Sequence, residues 1–210
     1  MFTIMALPGG EDTLLQLSEL IGRGALDDED ALLWFAGLLE PTDQGEAAPN
    51  PDGSLVGRKR RPIMLYEPLV KLAECIVIVE AMEGIRRSVE PCQLGVATPD
   101  GVRIAVRIMR AWAADIAAAV AVGGDEALER DVVIVGTDLR NAYGRMFRST
   151  GIVSAVKRAP RLVPMLCNRW KPGNARVWQQ IGPGQWEAES SLRGGGQGPF
   201  LSQVIFALGL

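Results

Sequence analysis

Apolar residues recur at helical spacing from the beginning of the chain. Leu14, Leu15, Leu17, Leu20 and Ile21 share one stripe between Asp12 and Ile21, and Gly22 with Gly24 can close that helix. Asp27 and Asp28 cap a second helix running through Leu38, with carboxylates near its positive end. Residues 40–56 (EPTDQGEAAPNPDGSLV) abandon the pattern for Pro, Gly and polar side chains, which predicts a loop and the best internal boundary. RKRRPIML follows, basic residues leading into a short strand. Tyr66 to Arg87 reads as a long helix with Leu69, Leu72, Ala73, Ile76, Val79 and Ala81 in its apolar set. Pro91 breaks the chain, and a second long helix runs from Val102 to Val122.

Asp131 opens DVVIVGTD, an apolar, β-branched run bounded by charge, as in a strand buried on both faces. Basic, helix-compatible sequence continues to Trp170. Ala175–Gln180 and a run near Gln185 predict a hairpin around IGPG, and Gly198–Leu210 predicts a helix.

Composition narrows the chemistry. The chain has no histidine, which excludes His-containing triads and His-ligated zinc from these residues. Cys75, Cys92 and Cys167 are far apart and form no CxxC pair, which suits a reducing compartment better than a disulfide framework. No apolar run reaches the roughly 18–20 residues of a membrane helix; the nearest, Trp112–Val122, carries Asp115. The N-terminus lacks the basic region of a secretory signal. A net charge of −3 conceals a polarity. Residues 1–50 contain ten acids against Arg23 alone, whereas Leu139 to Trp186 contain no acid and many cations. Two readings follow: a polyanion partner for the middle of the chain, or an acidic front folded over it.

Asp138 ends the DVVIVGTD strand, where ligands gather in open α/β sheets. It either holds a hard cation such as Mg²⁺ or caps the following helix. GGGQG (Gly194–Gly198) precedes a helix and presents backbone N–H groups to an anion, but lacks the Gly-Lys-Ser/Thr ending of a P-loop. The basic run Arg58, Lys59, Arg60 and Arg61 either meets phosphates or is a solvated surface.

The order of these pieces resembles the reverse transcriptases of non-LTR retrotransposons. RRPI (Arg60–Ile63) with a later Lys71-Leu72 resembles the first finger motif, and QLGV (Gln93–Val96) the second. TDLRNAYGRMFR (Thr137–Arg148) resembles the central acidic motif. RGGGQGPFLSQVIFALGL (Arg193–Leu210) resembles the glutamine motif that follows, and the front helices resemble the region before the fingers.

The resemblance implies a mixed α/β (α+β) fold: a partial right-hand polymerase, with helix-rich fingers and part of an antiparallel palm sheet carrying Asp138 on a central strand. Residues 1–56 would be an acidic helical region and linker, and 57–210 the fingers and partial palm. It implies RNA-templated DNA synthesis by metal-dependent nucleotidyl transfer. Asp138, assisted by the Leu139 carbonyl, would bind catalytic Mg²⁺. Tyr143 would pack under the incoming sugar, a role compatible with a core position, and Gln197 and Gly198 would lie near nucleotide and template. Arg61, or else Lys59 or Arg58, would meet the triphosphate, and Arg148 would steady the palm. The implied partners are an RNA template, a DNA primer and dNTP, with no membrane, in the cytoplasm or nucleus.

Departures accompany the likeness. Pro199-Phe200-Leu201-Ser202-Gln203 displaces the family's proline and lacks its second. No aromatic followed shortly by two aspartates comes after Gln197, and Glu187 and Glu189 precede it. A single carboxylate rarely holds Mg²⁺, so these residues alone are expected not to polymerise DNA. Two other readings are a non-enzymatic nucleic-acid-binding module on a polymerase scaffold, and an interaction protein. In the latter the apolar face Phe200–Leu210 seeks another chain or the rest of a polymerase.

Overall fold

The computed structural model describes residues 8–43, 60–123, 142–196 and 198–210. The DVVIVGTD segment with Asp138 and Leu139, the Arg58-Lys59 pair and Gln197 lie outside them. Helix α1 (Gly10–Gly22) starts with Glu11 and Asp12 in its first turn, where carboxylates favour the positive end. Its buried stripe is narrower than expected: Leu14, Ser18 and Ile21 point inward, while Leu15 is 60% exposed. Ser18 tolerates burial because its hydroxyl donates to the Leu14 carbonyl at 2.7 Å. The Asp27 carboxylate caps α2 (Asp28–Phe35) by accepting the Asp30 N–H at 2.8 Å, as expected.

Helix α2 stops at Phe35, short of Leu38, because Ala36 turns extended and strand β1 (Gly37–Asp43) begins. Residues 40–43, expected as loop, are therefore strand, paired antiparallel with β2 (Arg60–Leu65) from Leu38↔Leu65 to Asp43↔Arg60. Pro41 is compatible with this because β1 meets its other neighbour only at Gly37 and Leu38. That pairing joins residues 38–43 to residues 60–65.

Helix α3 (Pro68–Val89) opens on a proline, whose missing N–H costs nothing there. Its core face keeps Leu69, Ala73 and Ala81 of the expected set and is otherwise shifted. Val70, Ala73, Glu74, Val77, Ala81 and Ile85 are buried, whereas Leu72 is exposed and Val79 is 68% exposed. After Pro91 comes α4 (Gly101–Gly123), most of whose described side chains are exposed. The basic middle forms α5 (Ala142–Arg145), α6 (Arg148–Arg158), a 3-10 turn (Pro160–Leu162) and α7 (Val163–Trp170). The expected hairpin is present as β3 (Arg176–Gly182) and β4 (Gln185–Ser190), and α8 (Phe200–Gly209) follows.

The fold is thus mixed α/β, with an open four-stranded sheet in the order β2-β1-β3-β4. The sheet is not purely antiparallel, contrary to expectation: β1 and β3 run parallel, Gly37 beside Val177 and Leu38 beside Trp178. The chain returns to β3 through the helices, and such a crossover delivers a parallel strand. The core joins α3, the 3-10 turn, α7 and α8 through Val70, Val77, Ile85, Leu162, Leu166 and Ile205. Helix α8 packs on α3 and α6 and buries Leu201, Val204, Ile205 and Leu208, so this chain itself covers most of the apolar face that the sequence left to a partner. The three cysteines are free and exposed. Among the described residues no helix is long and apolar enough to cross a membrane.

Candidate functional site

The glycine-rich loop before α8 is held by three separate parts of the chain. Gly194 and Gly196 take left-handed backbone angles (φ 71° and 75°), which turn the loop back on itself. The Gly194 N–H donates to the Met146 carbonyl and the Gly195 N–H to the Tyr143 carbonyl, each at 3.0 Å. Arg148 completes the junction: Nε donates to the Gly194 carbonyl and Nη2 to the Ser191 hydroxyl, both at 2.9 Å. A Cβ at Gly198 would lie 2.6 Å from the Met64 carbonyl oxygen, so only glycine lets the loop approach β2 this closely. Met64 of β2, the 143–148 segment and the glycine-rich loop therefore meet at one place.

Tyr143 sits on α5 at this junction. Its half-buried ring meets Phe206 of α8 edge to face, with centroids 5.3 Å apart at 68°. The residue thus leans on the core while its backbone carries the loop. Arg61 lies on β2 opposite Thr42 in the backbone register. The Arg61 side chain, and Asp138, Leu139 and Gln197 entirely, lie outside the described residues. No group of three Asp, Glu, Cys or His side chains suited to a metal exists among the described residues. The described residues thus offer Mg²⁺ no carboxylate cage, and Asp138 and Leu139, the residues that would hold it, lie outside them.

Two residues central to this region carry no motif. Glu74 is 0% exposed and Arg169 3%, and they form an ion pair linking α3 to α7. The other Glu74 oxygen accepts the Phe200 N–H at 3.0 Å and the Leu201 N–H at 3.5 Å. The anion expected at the start of this helix is therefore an internal carboxylate. The available signal was a glutamate four residues after Val70 and three before Val77, on the core stripe of α3. Burial opposes the charge of Arg169, but Tyr66 and Glu74 outweigh it and hold the guanidinium above its ordinary range. Arg169 also stacks over the Tyr66 ring at 4.2 Å. Arg148 goes the other way. Burial, helped by the like charge of Arg169 and opposed by Tyr66, lowers it to about 10, which leaves it charged at neutral pH.

Much of the basic tract serves the fold. Arg161 pairs with Glu80 at 2.5 Å, Arg169 with Glu74, and Lys171 with Asp28 at 2.5 Å. Arg158 donates to the Leu208 carbonyl at 2.9 Å, a cation at the negative end of α8. Of these contacts only Lys171–Asp28 joins the tract to the acidic front. Comparison of the chain with known protein families, with curated proteins and with solved structures finds no match.

Proposed function

We propose that the chain is the fingers and part of the palm of a non-LTR-retrotransposon-type reverse transcriptase, a partial right-hand fold that engages an RNA template, a DNA primer and dNTP. One observation supports this reading: the 143–148 segment is hydrogen-bonded to the 191–195 loop, and Gly198 at the end of that loop packs closely on Met64 of β2, although the three are far apart in sequence. A nucleotide site in such an enzyme needs these segments together, since positioning of the triphosphate supplies most of the catalysis. In this reading Asp138 with the Leu139 carbonyl holds Mg²⁺, Arg61 meets the triphosphate, Tyr143 flanks the sugar, and Gln197 and Gly198 face the nucleotide.

The test is dNTP binding to the 210-residue chain on an RNA–DNA hybrid. The dNTP should bind only with Mg²⁺, and Asp138→Asn should weaken it about tenfold or more. Primer extension is not expected, because one aspartate does not neutralise two cations and a triphosphate. RNA binding that ignores Mg²⁺ and Asp138→Asn would favour the non-enzymatic binding module instead.

A further inference from the structure

A small cavity lies between α7, the start of β3 and the 191–196 loop, with a volume of about 10 Å³. That is room for a single small occupant. Arg148, Arg169 and Arg176 line it, and no carboxylate does. Arg169 Nη2 and Arg176 Nε are buried there without a hydrogen-bond partner among the described residues. Glu74 does not relieve them, since it meets Arg169 through Nη1 and gives its other oxygen to α8.

Buried donors without acceptors are costly, and unpaired buried charge more so. A water molecule would accept from both nitrogens but must also place its own two protons. The Ser191 hydroxyl already accepts from Arg148 and the Tyr66 hydroxyl donates to the Met64 sulfur; a water using their remaining lone pairs would still leave the excess positive charge uncompensated. A lining of donors with excess positive charge suits an anion better.

We propose that this cavity binds a single monatomic anion, chloride-sized, held by Arg148, Arg169 and Arg176. The ion satisfies the two orphaned nitrogens and offsets the repulsion between guanidiniums that the fold brings together. It fastens α7 to β3 and the glycine-rich loop. The proposal does not depend on what the protein does with nucleic acid.

The test exchanges sodium chloride for sodium gluconate at fixed sodium concentration and follows thermal unfolding of the full chain. Tm should rise by about 3–5 °C per tenfold chloride above the dissociation constant. Arg176→Met should abolish that dependence, whereas Lys157→Met, the same charge change at an exposed site, should keep it. Bromide should replace chloride and give an anomalous diffraction peak in the cavity of the unaltered protein, a readout that survives if Arg176→Met fails to fold. A Tm indifferent to chloride, an equal response to sulfate, or a cavity without bromide overturns the proposal.

Discussion

Both oxygens of the Glu74 carboxylate are engaged inside the core, Oε1 with the Arg169 guanidinium and Oε2 with the first N–H groups of α8. A carboxylate there joins three helices that share no sequence neighbourhood, since Glu74 and Arg169 are 95 positions apart. Removing it alone strands a guanidinium with 3% exposure among apolar side chains. Glu74→Ala is expected to destabilise the fold by about 3–5 kcal/mol, the range for breaking one side of a buried pair. Urea denaturation measures this as a lower midpoint at unchanged slope. Replacing both partners, Glu74→Leu with Arg169→Met, should recover most of the loss, because desolvating two charges is itself costly. About 1 kcal/mol should remain missing, since α8 then starts without an acceptor for its N–H groups. A cost below about 1 kcal/mol for Glu74→Ala would mean that the carboxylate does not hold α7 and α8 to α3.

At the scale of elements, α3 and α6 meet where Gly84 faces the last turn of α6. A Cβ at Gly84 would lie 2.6 Å from the Arg158 carbonyl oxygen, a backbone atom that cannot rotate away. Gly84→Ala gains up to about 1 kcal/mol of helix propensity. Overpacking costs about 1–3 kcal/mol, so the net change should be destabilising. A raised Tm in thermal unfolding would show that the two helices separate freely. Helices and hairpin were legible in the sequence because their signals are local: the 3.6-residue period for α3 and α4, Asp27 for the start of α2, IGPG for β3 and β4. The α3 core face was read in part: Leu69, Ala73 and Ala81 are buried as expected, but the stripe through Glu74 was missed because a charge is normally kept from a core position. Strand β1 was missed because its EPTD segment is polar, and the partner that makes it a strand lies beyond a long connection. The parallel pairing of β1 with β3 depends on residues about 140 positions apart, and no local pattern records it.

For the whole molecule, spacing alone does not reveal that Arg148 reaches Gly194, 46 positions on, or that Met64 lies under Gly198. The charge polarity was legible, yet its use was not, because a cation in the sequence does not declare whether it faces solvent or a carboxylate. Arg161, Arg169 and Lys171 face carboxylates, Arg158 a helix end, and Arg148 the loop. Arg145 and Lys157 are exposed and form no ion pair among the described residues. Counterion release makes the logarithm of affinity fall with the logarithm of salt by roughly 0.9 per phosphate neutralised on duplex. A tract that presented all its cations would therefore contribute a slope several units steeper than one whose Arg148, Arg158, Arg161, Arg169 and Lys171 are engaged within the fold. Salt titration of RNA–DNA hybrid binding measures the difference. Arg145→Gln and Lys157→Gln should each make the slope shallower by about one. Arg161→Gln and Lys171→Gln should leave the slope unchanged, since those cations already have carboxylate partners. If Arg161→Gln or Lys171→Gln flattens the slope as much as Lys157→Gln, the inward ion pairs open on binding and the tract acts as a polyanion surface.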